Sequence, residues 1–309
     1  MADRASVILR PRDLVRLRAT VTRADYGPWP LEVRTGQYHR CYTDQGWVQY
    51  RRANHVVPPF VVASTPVQGL QPRMCRDYRG RVRLFYTERP LPVGGIRQII
   101  SDDDGRTFGE PAVVLPGGAY PSVTYDPRTQ AVFAVLYGGG TLYGWRERPN
   151  ETASPFSLGI SVEEDVAHAC PLPGSPGVWL LACRVLGEGA ISLWRSMDDG
   201  RTWQRYATGL PGYSHPHVMA DPLGMVLVAG YKDNQLAGAL LYPGETAFRA
   251  PRAFTDGLAA LQVANTPFGI AVAHESAQRW VLATRILGEQ RISEWFSADF
   301  GRTFSRVSA

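Results

Sequence analysis

The chain reads as short apolar runs cut by turns. Val82-Arg-Leu-Phe-Tyr86, Ala131-Val-Phe-Ala-Val-Leu-Tyr137, Val178-Trp-Leu-Leu-Ala-Cys183, Met225-Val-Leu-Val-Ala229 and Trp280-Val-Leu-Ala-Thr284 are each five to seven residues long. Runs of this length, rich in β-branched and aromatic residues and flanked by Gly, Pro and Asp, predict strands. No stretch carries an apolar stripe at helical spacing. A second candidate strand precedes each run, beginning near Pro72, Pro121, His168, Pro216 and Leu261. The pairs recur about every 48 residues, and recurrence at one step marks a repeat architecture.

One phrase punctuates the repeat. Its three copies begin at Ser101, Ser196 and Ser297, 95 and then 101 residues apart, and share the pattern S-x-D-x-G-R-T-[FW]. The fixed positions are Ser101, Asp103, Gly105, Thr107 and Phe108, then Ser196, Asp198, Gly200, Thr202 and Trp203, then Ser297, Asp299, Gly301, Thr303 and Phe304. The physical reading is a hairpin turn. The Asp bonds backbone N–H groups across it, the Gly takes a positive φ, the Thr opens the next strand, and the aromatic is its first buried residue. In these residues the sequence resembles the Asp-box (BNR-repeat) β-propellers, of which sialidases are the best-known enzymes. The resemblance implies that each phrase joins the third and fourth strands of a blade, on the face opposite the active site, and is structural.

The step between phrases is two repeat units, so a unit with an eroded phrase lies between each pair. Leu142-Tyr-Gly-Trp145-Arg146 and Ala239-Leu-Leu-Tyr242-Pro-Gly244 echo Leu193-Trp194-Arg195. The expected fold is therefore all-β: a six-bladed β-propeller of four-stranded antiparallel blades of about 48 residues, one domain over residues 1–309. Residues 72–309 hold five blades, ending in an outermost strand at Phe304 to Ser308. Residues 1–71 hold a degenerate blade and a closure segment, from strand-like stretches at Leu14–Thr20, Leu31–Val33, Gln37–Tyr42 and Trp47–Tyr50. Trp47 lies 98 residues before Trp145, on the same step. Trp47, Trp145, Trp194 and Trp295 track the repeat and are expected in the packing first.

Composition changes this picture little. The net charge is +5, but Lys232 is the lone lysine. An arginine bias with few asparagines points to a GC-rich source, a thermophile among them. The arginines are scattered without interleaved aromatics, which speaks against nucleic acid. Met1 to Arg18 matches neither a signal peptide nor a membrane span, so the expectation is cytoplasmic synthesis, with release by lysis or within a particle. Cys41, Cys75, Cys170 and Cys183 form no CxxC pair, against a zinc site; Cys170 and Cys183 fall on neighbouring strands and read as buried thiols before a bridge.

Candidate chemistry sits in the turns opposite the phrase. Arg184-Val-Leu-Gly-Glu188 and Arg285-Ile-Leu-Gly-Glu289 occupy equivalent places in the two most similar units. The resemblance to sialidases implies arginines clamping a carboxylate, a Tyr–Glu nucleophile pair and an aspartate acid/base. Arg73, Arg89, Arg184 and Arg285 are the candidate clamp, since a guanidinium fork matches a carboxylate. Glu188, Glu289, Asp165 and Tyr213 are the neighbouring acids and phenol. The family's N-terminal Arg-Ile-Pro signature is absent. Arg184 and Arg285 read equally as loop braces against the glutamate beside them. His215-Pro-His217 puts two imidazoles on one side of a first strand near the central channel, read as satisfied or solvent-facing histidines rather than metal ligands, with His215 a ligand-binding candidate. Gly138-Gly139-Gly140 is a second-to-third-strand turn, not a phosphate loop. Tyr26, Trp29, Tyr38 and Tyr213 are candidates for an exposed aromatic surface. No metal or cofactor is expected. The first functional expectation is a non-catalytic binding or structural propeller, a virion tail or fibre component recognising a surface glycan or docking to neighbouring subunits. The alternative is a sialidase-like exo-glycoside hydrolase.

Overall fold

The computed structural model describes residues 4–5, 19–20, 26–34, 37–44, 47–54, 57–60, 64–89, 94–221, 223–232, 235–253, 271–276, 279–285, 292–297 and 305–306, with side chains mainly from 67 to 89 and 94 to 251. Every regular element among them is a strand, and every pairing is antiparallel. β1 (Arg4–Ala5) pairs β2 (Ala19–Thr20). An 8-stranded sheet contains β3 (Tyr26–Arg34), β4 (Gln37–Asp44), β5 (Trp47–Asn54), β6 (Val57–Phe60), β7 (Ser64–Arg76), β8 (Val82–Glu88), β9 (Ile96–Ser101) and β10 (Ala112–Leu115). A 7-stranded sheet contains β11 (Ala119–Asp126), β12 (Ala131–Gly138), β13 (Thr141–Glu147), β14 (Pro155–Pro171), β15 (Trp179–Val185), β16 (Ala190–Ser196) and β17 (Gln204–Pro211). Two 4-stranded sheets follow: β18 (Ser214–Ala220), β19 (Val226–Lys232), β20 (Gln235–Leu241) and β21 (Arg252–Ala253), then β22 (Ala271–Ser276), β23 (Arg279–Arg285), β24 (Ile292–Ser297) and β25 (Ser305–Arg306). The expected first strand at Leu261 lies outside the described residues; the strand paired with β23 is β22.

The two large sheets arise from two long strands. β7 pairs β5 through Ser64 and Gln68, then pairs β8 from Gly69 onward. β14 pairs β13 over Pro155–Ser161 and β15 from Val162 onward. Each long strand thus leaves one group of strands at its edge and opens the next. The opening strands meet side by side: β3 lies against β7, β7 against β11, β11 against β14, β14 against β18, β18 against β22, and β22 against β3. The contacts return to their start, so the opening strands line an axis.

The core lies between consecutive groups. One cluster joins Cys41, Val48 and Tyr50 to Met74, Leu84 and Ile99; the next joins Phe85 and Ile96 to Val132, Leu136 and Trp145; the next joins Phe133 and Val135 to Trp179 and Leu181; the last joins Leu180 and Leu193 to Val218 and Val228. Burial on both faces explains the unbroken apolar runs, since neither face needs a polar alternate. It also settles the cysteines. Cys183 belongs to the cluster on one face of its sheet and Cys170 to the cluster on the other. Both are free and buried, and burial pushes each thiol up to about 12.

The first two phrases fold alike. The Gly105 and Gly200 N–H groups donate to Ser101 and Ser196 Oγ at 2.7 and 2.8 Å. Those hydroxyls donate to Asp103 and Asp198 Oδ1 at 2.7 and 2.8 Å. The aspartates also accept from the N–H and the hydroxyl of Thr107 and Thr202, at 2.8 and 2.6 Å in both copies. Each threonine therefore belongs to the turn instead of opening the next strand. The residue before each glycine, Asp104 or Asp199, also has a φ of 63°. Asp104 pairs with Arg76. Asp199 receives Arg146 at 3.1 Å, Arg148 at 2.6 Å and the Trp179 indole N–H at 3.0 Å. The third phrase begins at the end of β24, and residues 298–304 lie outside the described residues.

Each of the first two phrases also pins its group to the preceding one. Phe108 meets Tyr50 edge-on at 5.2 Å, and Trp203 meets Phe133 at 5.9 Å. A Cβ on Gly105 would lie 2.1 Å from the Tyr50 ring, and one on Gly200 would lie 2.7 Å from Phe133. A buried ion network reinforces one interface. Arg83, 1% exposed, reaches Asp77 Oδ2 at 2.9 Å on its own group and Glu147 on the next. Burial alone would raise the Asp77 carboxyl, but hydrogen bonds from Arg83 and Arg81 hold it below the usual range.

Three outcomes follow for stability. Gly200→Ala adds left-handed strain to a clash with Phe133 and lowers unfolding stability by about 3 kcal/mol in urea titrations. Gly187→Ala, at a similar φ of 79° in open space, loses only about 1 kcal/mol. Arg83→Met removes the cation shared by Asp77 and Glu147, leaving Asp77 its Arg81 partner at 2.7 Å, and costs about 1.5–3 kcal/mol by the same measurement.

Candidate functional site

Three opening strands begin with the same distortion. Gln71, Tyr120 and His215 are non-glycine residues with φ of 57°, 56° and 53°. Each immediately precedes a proline: Pro72, Pro121 and Pro216. In each case the strand register shifts there, between Leu70 and Arg73, Ala119 and Ser122, and Ser214 and His217. These are β-bulges, which bend a strand and re-aim its side chains. The proline needs no ladder partner for its nitrogen, and it restricts the residue before it. A left-handed residue there costs about 1–3 kcal/mol, so the surroundings hold it. Thr87 does this for two bulges, donating to Gln71 Oε1 at 3.1 Å and accepting the Tyr120 N–H at 3.1 Å. Tyr120 meets Tyr137 edge-on at 6.3 Å, and His215 meets Tyr231 at 5.6 Å and Ser214 Oγ at 2.9 Å.

The other ends of these strands carry a second repeat. Asp77 accepts the N–H groups of Arg79 and Arg81 at 2.9 and 3.0 Å, Asp126 that of Arg128 at 2.9 Å, and Asp221 those of Leu223 and Met225, both at 2.9 Å. These turns share an end with the phrase hairpins, so the bulges and the second-to-third-strand turns occupy the opposite end. The combined signal is a proline followed five residues later by aspartate, at Pro72, Pro121 and Pro216.

Arg184 lies on that opposite end, as expected, but braces Glu163 at 2.8 Å instead of Glu188. Glu163 also accepts the Gly187 N–H at 2.9 Å. Glu188 accepts the Ser192 hydroxyl at 2.9 Å and pairs with Arg205, whose guanidinium lies 5.1 Å over Trp194. Arg89 is exposed just after β8, and nearby Glu88 pairs with Arg97 at 2.7 Å. Tyr213, expected at the surface, is only 8% exposed, packed in an inter-sheet cluster with Lys232 5.5 Å over its ring. Trp47 reverses the other expectation: it opens β5 at the hairpin and is 42% exposed, because its register partner is Asp44 and not a mid-strand residue like that of Trp145. Gly138–Gly140 forms the β12–β13 turn, with φ of 59° and 83° at Gly139 and Gly140. Arg285 ends β23 and Asp165 lies within β14, but their side chains, like those of Tyr26, Trp29, Tyr38 and Trp295, lie outside the described residues, as does Glu289.

Beneath the bulges lies a buried basic cluster. The His168 and His217 rings, on β14 and β18, stack at 3.5 Å with 25° between planes. The His168 Nδ1 accepts the Val218 N–H at 3.4 Å, whereas the buried His217 Nδ1 has no hydrogen-bond partner among the described residues. Arg73 on β7 is buried too. Burial pushes its pKa down to about 9, leaving it charged at neutral pH. Burial and then the Arg73 charge push His168 down to about 3; burial, His168 and Arg73 push His217 well below its ordinary value. Sequence reading named Arg73 as a candidate but took His217 as satisfied or solvent-facing, whereas it is buried against His168, which the sequence did not single out.

The histidines have a pH consequence. Their folded values lie below the unfolded value near 6.5, so the unfolded chain binds protons first as pH falls. Melting temperature is expected to be insensitive to this pair above about pH 6.5 and to drop as pH falls towards 3. Replacing both with phenylalanine flattens that limb.

No helix among the described residues is long and apolar enough to cross a membrane. No protein-family model and no curated protein matches the sequence. Solved structures do match in fold. The chain is similar to the fucose-specific lectin from Aleuria aurantia with a TM-score of 0.63 at 12% identity, covering 90% of this chain and 92% of that one. It is similar to an ulvan lyase of a polysaccharide lyase family with a TM-score of 0.61 at 13% identity, covering 92% and 85%. It is similar to the Hadza microbial sialidase with a TM-score of 0.56 at 14% identity, covering 84% and 66%. These neighbours are carbohydrate-binding or carbohydrate-active β-propellers, and the chain's all-β antiparallel fold is propeller-like.

Proposed function

We propose that the chain is a six-bladed, Asp-box β-propeller that binds a glycan, without cleaving it, on the end bearing the bulges. The blade count is supported by the halves of β7 and β14 serving different groups of four strands and by the circuit of opening strands. The Asp-box reading is supported by the matching hydrogen bonds of the first two phrases. The observation that carries the binding reading is the threefold bulge: Gln71, Tyr120 and His215 held in strained backbone at one end of the axis. Strain repeated at the same place in three units, at one end of the axis, supports a shaped site there. Fold alone does not fix function, but the lectin, lyase and sialidase likenesses all have carbohydrate as their ligand. Binding is favoured over hydrolysis because Glu88, Glu163 and Glu188 on this end each have an arginine counter-ion. The virion role and the docking to other subunits expected from the sequence have no support in the fold or the likenesses.

The test is a glycan array read with the wild-type chain, Tyr120→Ala and His215→Ala, beside a fluorogenic sialoside panel. Retention of a defined glycan class, weakened at least tenfold in both variants at unchanged melting temperature, is the expected result. Retention of nothing overturns the binding reading. Turnover of a sialoside that Arg184→Ala and Arg285→Ala abolish establishes the hydrolase alternative in its place.

A further inference from the structure

Three of the third strands open after a short turn, and register makes their first residues equivalent: Trp47 faces Asp44, Thr141 faces Gly138 and Gln235 faces Lys232. The fold therefore requires no aromatic there, since threonine and glutamine serve in the other two groups. Trp47 also differs from the other tryptophans. Trp145, Trp179, Trp194 and Trp203 each engage a ring, a cation or a hydrogen-bond acceptor. The Trp47 side chain has no such contact among the described residues and is 42% exposed. Its cross-strand partner is Gln68 on β7, exposed as well and with no side-chain hydrogen bond among the described residues. Opposed residues of an antiparallel pair project from the same face, with Cβ atoms about 5 Å apart. The adjacent Val48 and Val67 are buried in one cluster, so Trp47 and Gln68 stand on the other face. The β4–β5 turn is a second-to-third-strand turn, which puts the pair on the bulge-bearing end. We propose that Trp47 and Gln68 form a sugar subsite apart from the bulges, a platform for the C–H face of a neutral pyranose, so that this end takes an oligosaccharide instead of a single sugar; the sugar in that statement rests on the glycan-binding reading.

The chemistry of the pair selects the occupant. An indole presents the negative side of its quadrupole on its face, which attracts the polarised C–H groups of a pyranose. The amide beside it offers two donors and an acceptor to the ring hydroxyls. Neither side chain is charged, so nothing in the pair favours an acidic sugar. A lipid surface covers the indole but leaves the amide unmet, at a cost. A protein partner needs a larger apolar centre than one indole. Among the described residues the other exposed large apolar side chain on this end is Leu186, which lies in the β15–β16 turn of a different group. The placement also fits a chain of sugars. β7 runs from Gln68 to the bulge at Gln71, about 10 Å of strand. Gln71 connects through Thr87 to Tyr120. An oligosaccharide laid along β7 meets the platform at one end and the bulges at the other.

The platform is tested in the full-length chain with gluco-, galacto- and mannooligosaccharides of increasing length, from the methyl glycoside upward, and with any neutral oligosaccharide the array retains. The readouts are affinity by calorimetry and the indole N–H signal of Trp47 by NMR, assigned by its loss in Trp47→Phe. The expected result is one series whose affinity rises with length and whose longer members shift the Trp47 signal. Trp47→Ala removes the gain with length, about tenfold, Trp47→Phe keeps most of it and Gln68→Ala loses severalfold, all at unchanged melting temperature. A gain with length that Trp47→Ala leaves intact overturns the platform and spares the glycan reading, as does retention of acidic glycans alone. Binding lost in Trp47→Ala but unchanged in Tyr120→Ala and His215→Ala keeps the platform and removes the bulges as the glycan site. No glycan bound by the wild type removes both. Binding to phosphatidylcholine vesicles that Trp47→Ala abolishes, without a response to sugar, makes Trp47 a membrane contact and overturns the platform.

Discussion

Phe133 sits where two groups of strands meet, between Trp179 at 5.1 Å and Trp203 at 5.9 Å, with Gly200 beneath it. This contact states the constraint behind the whole structure. Strands β8, β12 and β19 bury six consecutive residues each. A sheet apolar on both faces needs a neighbour on both. A row of such sheets leaves two end faces bare, whereas a closed circuit leaves none. The contact of β22 and β23 with β3 closes it. The phrase hairpins then act as spacers. Their paired left-handed residues let backbone approach an aromatic ring closely enough that no side chain fits, and their aspartates satisfy the N–H groups so exposed.

Closure also decides where polarity is tolerated. Between the sheets, Arg83 is buried with carboxylates from two groups, so charge crosses an interface only as a network. At the axis the opening strands converge and cannot fill the space with branched side chains alone. Each strand must also turn inward from the rim. The bulge makes that turn, and its cost is held by local bonds such as those of Thr87 with Gln71 and Tyr120. The same geometry that lets a ring close therefore places polar and strained residues around its centre.

Much of this was written in the sequence. The apolar runs located β12, β15 and β19 because a doubly buried strand has few polar interruptions; β8 has one, the buried Arg83, and β23 also falls on its run. The phrases located the β9–β10 and β16–β17 hairpins because Asp, Gly and Thr each have one role there. Trp47 misled, since a step measured in residues does not see that one hairpin is shorter than another; register, not spacing, set its exposure. Tyr213 misled because a tyrosine in a polar turn can still fold its ring beneath a neighbour, here Lys232. The bulges were legible as Pro-to-Asp spacing, but a left-handed residue before proline leaves no signature in residue type, being Gln, Tyr and His in turn. The cluster of Arg73 with His168 and His217 was illegible for a deeper reason. Its members come from groups far apart along the chain, and only the closed circuit brings them together.

The charges divide the two levels of the site. On the bulge-bearing end, glutamates and arginines neutralise one another: Glu163 with Arg184, Glu188 with Arg205, Glu88 with Arg97. Exposed pairs of this kind contribute little energy, but each occupies a carboxylate that would otherwise be available as a base. Deeper in, the His168 and His217 rings stack in a buried setting, and the His217 Nδ1 has no hydrogen-bond partner among the described residues. Hydrogen-bonding capacity that is unmet in a dry setting discriminates strongly, because the wrong ligand leaves it unmet still. On the proposed glycan-binding reading, Tyr120 and His215 would lend a sugar contact area, whereas the buried level would tell ligands apart by which of them meets that nitrogen; recognition of this kind requires no proton transfer and no nucleophile.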